Sequence, residues 1–262
     1  MHDIRTVSDT TRAFYAAHSR PISPLYRRAI EELMVEMHLL SVNVEFSYDP
    51  IYALGVTMAF DRFTVGYQPE ADRDSIFRAL CQGIGSQAEQ YRQDADRLLG
   101  AARATSRANI IAALTQAAPI EPGDAYTTLQ QTVEARLHQD RFKYSRPYAI
   151  GLYALLEASQ GDVPDETVQK EAWTAIAESL KLPLDKLQKD LELYRSSLEK
   201  IAQLRETAAD IIEAERRKRE LREQAKAAAT QASEAKDSSE SSTTNEPSPG
   251  SESSDPEPKS EA

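Results

Sequence analysis

ISPLYRRAIEELMVEMHLLSVNVEFSYDPIYALGVTMAFDRFTVGY, residues Ile22–Tyr67, is the stretch that decides the fold. Large apolar side chains recur in its first half at steps of three and four, which is the spacing of one helical face: Tyr26, Ile30, Leu33, Met37 and Leu40. In its second half, from Ile51 to Phe60, nearly every side chain is apolar and Thr57 is a polar break. A helix that is apolar on all sides must be surrounded by other elements. The stretch therefore predicts an all-α bundle with its second half at the centre.

Residues at both ends of this central helix fit helix boundaries. Asp49 and Pro50 are typical of an N-cap and a first-turn proline, and Gly66 is typical of a C-terminal stop. We predict the helix over Ile51–Phe63. The preceding residues, from Leu40 to Tyr48, alternate apolar and polar side chains as a strand does. Because the chain offers no second alternation to pair with it, we interpret this segment as a helix end followed by an extended connector.

Start signals for other helices follow along the chain. We predict that Ser8 caps the first helix and that Ser86-x-x-Glu89 opens another with a capping box. The sequence DVPDE, Asp162 to Glu166, has the proline and acids of a helix start. With these signals, residues 1–182 are predicted to form a domain of about nine helices.

Residues 183–228 are predicted to form one long, coiled-coil-like helix. Apolar residues from Leu184 to Ile201 follow heptad spacing, and the apolar seam then shifts to Leu204, Ala208 and Ile211. From Glu213 onward only Leu221 is large and apolar. We expect the far end to project into solvent or to contact a partner. The predicted partner-binding residues combine these apolar side chains with a basic run: Leu204, Ile211, Arg216, Arg217, Lys218, Arg219 and Leu221.

Two interpretations of the basic run remain open. It could be a solvated helix face with ion pairs four residues apart, such as Glu215–Arg219 and Arg219–Glu223. Alternatively it could contact anionic lipid or an acidic partner.

The C-terminal residues 229–262 differ in composition from the rest of the chain. From Ser233 onward there are ten Ser, four Pro and eight acidic residues against two Lys, with no apolar residue larger than Ala. Such a segment buries too little apolar surface to offset the entropy of ordering it, so we predict disorder. The chain's net charge is −11. This acidic balance argues against nucleic-acid binding, which favours a basic face.

Cys81 is the single cysteine, so the chain has no intramolecular disulfide and suits a reducing compartment. Its position within an apolar helical pattern predicts a small buried side chain. No apolar run approaches the roughly 20 residues needed to span a bilayer. The N-terminus resembles neither a signal peptide nor a transit peptide.

A search for catalytic chemistry finds one cluster, Glu31, Glu32, Glu36 and His38. Di-iron helical proteins need a Glu-x-x-His pair from each of two helices, whereas Glu36 and His38 are two residues apart and face different directions. We predict ion pairs instead, Arg27–Glu31 and Arg28–Glu32, with His38 semi-buried. Neither a phosphate-binding glycine loop nor a nucleophile elbow is present. We therefore predict no catalytic, cofactor or metal site and a role in binding.

Three segments carry a resemblance to a known family. The segments that resemble the core of the Thylakoid Formation family are TRAFYAAHSRPISPLYRRAIEELMVEMHLLSVNVEFSYDPIYALGV (Thr11–Val56), FDRFTVGYQPEADRDSIFRALC (Phe60–Cys81) and YRQDADRLL (Tyr91–Leu99). The likeness continues more loosely through YSRPYAIGLYALLE (Tyr144–Glu157). Residues 229–262 are not part of it.

The resemblance implies an all-helical, non-enzymatic accessory factor of photosystem II biogenesis and repair. It implies association with the membrane-bound FtsH protease and a peripheral position on the cytoplasmic side of the cyanobacterial thylakoid membrane. We expect a monomer that needs no cofactor. A second hypothesis is a carrier of chlorophyll or another small molecule, with a pocket lined by tyrosines such as Tyr15, Tyr26, Tyr48, Tyr52 and Tyr67.

Overall fold

The computed structural model describes residues 5–117, 123–161 and 165–240, with side chains up to residue 226. Within these ranges the chain forms helices and no strand, which confirms the predicted all-α class. Nine helices of ordinary length precede one long helix: α1 Val7–Ala17, α2 Pro24–Ser41, α3 Pro50–Phe63, α4 Ala71–Gly83, α5 Ala88–Arg103, α6 Arg107–Leu114, α7 Asp124–Leu137, α8 Arg146–Ala158, α9 Glu166–Ser179 and α10 Leu184–Glu240.

Helix α3 lies at the centre of the bundle, as predicted. Its residues from Ile51 to Thr57 are all buried, and it packs most extensively against α8 and α5. Asp49 is the N-cap, and its Oδ1 accepts hydrogen bonds from the backbone N–H groups of Ile51 at 2.7 Å and Tyr52 at 3.3 Å. Gly66 has a φ of +78°, in the left-handed region that glycine adopts without strain.

Two glycines set the close crossing of α3 and α8. A Cβ atom at Gly55 of α3 would overlap the carbonyl oxygen of Pro147, and one at Gly151 of α8 would overlap the carbonyl oxygen of Ile51. At each contact a glycine, which has no side chain, lies directly against a backbone carbonyl of the other helix. This crossing fixes the position of α8 and of the residues that it contributes to the cleft described below.

Helix α2 and the connector after it agree with the sequence interpretation. The five apolar residues of the predicted face, Tyr26, Ile30, Leu33, Met37 and Leu40, are all buried. The helix ends at Ser41, and the alternating residues that follow form turns and an extended connector. The strand-like pattern arises because Phe46 and Tyr48 pack on the core while Val44 points to solvent.

Two predicted helix starts are wrong. Thr6, not Ser8, caps α1: its hydroxyl accepts from the N–H of Asp9 at 3.2 Å, and the Asp9 carboxylate accepts from the N–H of Thr6 at 3.0 Å. At α5 the N-cap is Gln87 and no side chain caps it. The N–H of Ser86 donates instead to the carbonyl of Cys81 at 2.8 Å, which holds Ser86 on the end of the preceding helix.

The start of α9 lies partly outside the described residues, since 162–164 are among those not described. Within the predicted DVPDE segment, Asp165 is the N-cap, and its Oδ1 accepts from the N–H of Val168 at 2.9 Å. An acid at this position also suits the positive end of the helix dipole.

The long C-terminal helix is present. It begins at Leu184 as predicted and continues past Ala228 to Glu240, since no proline or glycine interrupts that stretch. The rest of the predicted tail, from residue 241, lies outside the described residues. By its internal contacts the chain divides into two compact units, Met1–Arg205 and Glu206–Ala262. In the first unit Leu187, Leu191, Tyr194 and Ile201 of α10 are buried in the core.

Candidate functional site

The second unit presents its apolar side chains to solvent. No residue from Glu206 to Lys226 is buried. Ile211, Ile212 and Leu221 are 55%, 68% and 66% exposed. We call these three residues the distal apolar set. Large apolar side chains that no other part of the unit covers make this set a candidate contact surface.

The basic run of this segment is largely paired within the helix. Arg217 pairs with Glu213 at 2.5 Å, Arg216 with Glu220 at 3.6 Å and Arg219 with Glu223 at 3.2 Å. The predicted Arg219–Glu223 pair is confirmed, whereas the predicted Glu215–Arg219 pair is wrong because Arg219 turns toward the C-terminus. Lys218 has no ion pair within the described residues.

The predicted partner-binding residues do not share one face. Ile211 and Lys218 are seven residues apart and lie on the same side of the helix. Leu221 lies about a quarter turn from Ile211 at 3.6 residues per turn. Leu204 belongs to the first unit, where it is 54% exposed.

The carboxylates and the histidine of α2 do not form one cluster, because each side chain binds a different partner. Glu36 accepts hydrogen bonds from Arg146 of α8 at 2.7 and 3.1 Å. His38 is buried, with its Nδ1 2.8 Å from the hydroxyl of Thr10. Burial raises the pKa of Glu36 although Arg146 opposes that shift. No group of three or more His, Cys, Asp or Glu side chains could hold a metal ion in the described part of the chain.

The other predicted pairs of this cluster have mixed outcomes. Arg28 pairs with Glu32 at 2.9 Å, as predicted. The predicted Arg27–Glu31 pair is wrong: Glu31 accepts from the Tyr15 hydroxyl at 2.8 Å, and Arg27 donates to the carbonyl of Ile22 at 3.1 Å. His38 is fully buried rather than semi-buried.

The tyrosines that suggested a pigment pocket are mostly core residues. Tyr26, Tyr52 and Tyr67 are buried. The Tyr52 ring makes edge-to-face contacts with neighbouring rings, Phe46 at 4.9 Å and Tyr91 at 5.9 Å. These rings fill space that a pigment would need.

Cys81 is a buried core side chain, as predicted. Burial raises the pKa of its thiol to about 12. Since the thiolate is the reactive form, Cys81 is chemically inert at neutral pH.

The first unit contains a cleft of about 450 Å³ between α6, α8, α9 and α10. Its floor is apolar and aromatic, and its polar side chains are two arginines, a glutamate, a glutamine and the hydroxyl of a tyrosine. The lining residues are Arg107, Ala108, Ile111, Tyr153, Leu156, Glu157, Val168, Gln169, Ala172, Trp173 and Arg195. We call it the lateral cleft.

Charge in the lateral cleft is unbalanced. Glu157 is paired with Arg62, which lies outside the cleft. The guanidinium of Arg195 lies over the Tyr153 ring, 5.0 Å from its centroid, and Nε of Arg107 is buried without a hydrogen-bond partner. Neither arginine makes an ion pair within the described residues. The cleft thus offers two uncompensated positive charges beside an apolar floor.

Sequence reasoning missed the lateral cleft. Its residues come from four helices that are far apart in the chain, and none of them forms a recognisable motif. Trp173, the single tryptophan of the chain, is the one residue type in the set that stands out in the sequence.

In the described part of the chain, no helix is both long enough and apolar enough to cross a membrane.

Comparison with known proteins places the chain in a family. The family model described as "Thylakoid formation protein" matches residues 6–223. The Protein Thf1 of Trichormus variabilis is 54% identical over 225 residues, which cover 86% of this chain and 95% of that protein. The Protein Thf1 of Nostoc punctiforme is 51% identical over 229 residues, which cover 87% and 96%.

A solved structure of Psb29 at 1.55 Å has the same fold. Its TM-score is 0.68 at 45% sequence identity, and the match covers 82% of this chain and 98% of that one. The family match includes both the lateral cleft and the distal apolar set. The chain therefore belongs to the thylakoid formation protein family.

Proposed function

We propose that this protein is a non-enzymatic accessory factor for photosystem II biogenesis and repair, which binds and stabilises the membrane-bound FtsH-type protease. It works as a monomer, without a cofactor, at the cytoplasmic face of the thylakoid membrane. Membership of the thylakoid formation family supports the biological setting. The protease partner and the membrane side follow from the sequence resemblance.

The distal apolar set carries the proposal. Three large aliphatic side chains lie exposed on one helical segment in which no residue is buried. Ile211 and Leu221 lie about a quarter turn apart and can enter one groove of a partner, whereas Ile212 lies on the side of the helix opposite Leu221. Full burial of each such side chain contributes about 1.5–3 kcal/mol, and the contact must also offset the entropy that association costs.

A protein partner fits the distal segment better than a lipid surface does. Three of the four predicted basic residues are neutralised by glutamates one turn away. Each juxtamembrane Lys or Arg free to meet anionic lipid contributes about 1 kcal/mol. Lys218 and Arg222, which have no ion pair within the described residues, therefore give only weak membrane attachment. We therefore assign membrane association to the bound protease.

The test is recovery of the protease with tagged full-length protein from cyanobacterial thylakoids. The variant carries Ile211→Gln, Ile212→Gln and Leu221→Gln, since glutamine keeps helix propensity while removing the apolar contact. We expect at least about tenfold less protease with this variant, because each lost contact is worth about 1.5 kcal/mol or more.

Leu39→Gln is the matched control, since Leu39 is a leucine of similar exposure, 56%, on α2. It should recover as much protease as the wild type. Undiminished recovery with the triple variant, at equal helicity by circular dichroism, would remove the distal segment from the proposal.

A carrier function remains as the second candidate, but with a different site. The lateral cleft, rather than the tyrosine cluster, is the cavity that favours it.

A further inference from the structure

We propose that the lateral cleft binds a single-chain amphiphile, a molecule with an extended apolar body and one anionic head group such as a carboxylate or phosphate. This inference is independent of the protease proposal. The cleft lies in the first unit, whereas the distal apolar set lies in the second.

The size of the cleft suits a small molecule. At about 450 Å³ it falls within the roughly 300–1,000 Å³ of ligand pockets in proteins. Its lining also has the usual composition of such pockets, a mainly apolar surface with a few polar groups.

The apolar floor would hold the body of the ligand. Leu156 is buried beneath it, and Ile111 and Trp173 are half-buried. Val168 is 46% exposed on the wall of α9, although it begins the apolar pattern of that helix. An acyl chain lying here would cover the side chains that the protein itself leaves partly open.

The two arginines would hold the head group. Glu157 does not neutralise them, because it is paired with Arg62 and accepts a hydrogen bond from the Tyr153 hydroxyl at 3.4 Å. Arg107 lines the cleft, and its buried Nε has no hydrogen-bond acceptor, so no protein group offsets its charge there.

Apart from Glu157, two further acids lie in a neighbouring groove. Glu166 and Glu192 line that groove, which shares Trp173 and Arg195 with the lateral cleft. Neither glutamate forms an ion pair with Arg195 within the described residues. The edge of the lateral cleft is therefore net positive through Arg107 and Arg195, which suits a ligand with one negative charge.

Trp173 provides the readout, because it lines the cleft and is the only tryptophan. The full chain is titrated with dodecanoate, dodecyl phosphate, dodecanol and inorganic phosphate, each below its micellar concentration, while Trp173 emission is recorded. We expect saturable changes with both anionic amphiphiles. Dodecanol should bind at least about tenfold more weakly, and inorganic phosphate should leave the emission unchanged.

Variants assign the binding to the cleft. Arg195→Gln and Arg107→Gln should each weaken dodecanoate binding by about tenfold or more, the value of a hydrogen bond to a charged group. Arg103→Gln is the matched control, an exposed arginine outside the cleft. Ala172→Phe should abolish binding by filling the floor.

Folding of each variant is checked by its thermal unfolding. The backbone N–H of Arg107 donates to the carbonyl of Gln160 at 3.1 Å, and this bond survives the substitution. Arg195 is exposed, so Arg195→Gln tests the head-group site even where Arg107→Gln perturbs folding.

Three results would overturn the inference: no saturable emission change with either anionic amphiphile, equal affinity for dodecanol, or equal loss of affinity in Arg103→Gln. Equal affinity for dodecanol would make the cleft a purely apolar cavity. Loss of dodecanoate binding with undiminished protease recovery would separate the cleft from the proposed function.

Discussion

Gly55 and Gly151 let α3 and α8 approach more closely than they could if either position carried a side chain. A methyl group at either position would meet a backbone carbonyl of the opposite helix, which has no rotamer to change. Relief would require α3 and α8 to move apart, and the buried residues between them would lose contact.

We therefore predict that Gly55→Ala and Gly151→Ala each destabilise the protein by about 3 kcal/mol or more, the upper range for overpacking. Unfolding in guanidinium chloride measures this loss. The matched control is Gly100→Ala in α5, where a Cβ atom would meet nothing within 4 Å. This variant should gain about 0.5–1 kcal/mol from helix propensity. Equal stability of Gly55→Ala and Gly100→Ala would contradict the close crossing.

At the residue scale the sequence predicts roles that depend on near neighbours. Asp49 as an N-cap and Cys81 as a core side chain follow from the residues beside them. The need for glycine at position 55 does not, because the atom that excludes a side chain belongs to Pro147. The Glu36–Arg146 ion pair cannot be predicted from the sequence either, because its two residues lie far apart in the chain.

At the scale of the element, the N-terminus of α3 combines helix capping with burial. Burial raises the pKa of Asp49 to about 6, although hydrogen bonds from Ile51 and Tyr52 and the charge of Arg136 oppose the shift. Its Oδ2 has no hydrogen-bond partner. The cap is thus held in an environment that favours the protonated acid.

This shift predicts a pH dependence. The folded state binds the Asp49 proton more tightly than the unfolded chain, where the carboxyl titrates near 3.8. The resulting stabilisation is complete below pH 3.8 and is lost as pH rises through 6. Asn also caps helices but does not titrate. The stability of Asp49→Asn relative to wild type should therefore rise by up to about 3 kcal/mol between pH 4 and 7.

Denaturant unfolding at several pH values measures this difference. Asp9→Asn provides a control of opposite sign, because hydrogen bonds from Thr6 lower the pKa of Asp9. Relative to wild type, its stability should fall as pH rises. A pH-independent difference for Asp49→Asn would show that burial does not perturb the cap.

Helix existence is predictable from the sequence more reliably than helix starts. Apolar periodicity identifies α2, α3 and α10 because burial of one face stabilises each of them. The start of α1 is mispredicted because Thr6, Ser8 and Asp9 all have side chains that can cap a helix, and local competition decides among them. The start of α5 is mispredicted because the backbone N–H of Ser86 remains bonded to Cys81.

For the whole molecule, the first part of α10 belongs to the core of the bundle. The compact unit that contains it ends at Arg205. Leu187, Leu191, Tyr194 and Ile201 are buried there, and the Tyr144 hydroxyl donates to Asp190 at 2.9 Å.

We predict that a chain ending at Arg205 unfolds within about 1 kcal/mol of the full-length protein. A chain ending at Leu182 should lose several kcal/mol, at about 1.5–3 kcal/mol for each buried side chain removed. Thermal unfolding followed by circular dichroism compares the three chains. Comparable stability of the two shortened chains would show that α10 is dispensable for the bundle.

The candidate sites differ in how far the sequence predicts them. Exposure of Ile211 and Leu221 follows from the loss of heptad spacing, so the distal segment is visible in the sequence. The lateral cleft is not, because it exists only where four helices meet and leave Arg107 and Arg195 uncompensated.

The burial of Cys81 makes the natural chain convenient for spectroscopy. A thiol with a pKa of about 12 presents almost no thiolate to maleimide or nitroxide reagents near pH 7. A cysteine introduced at an exposed site such as Ala209 would therefore be the sole point of attachment, with Cys81 left in place. Mobility along α10 then becomes measurable by labelling one engineered residue, and distances by labelling a pair of them.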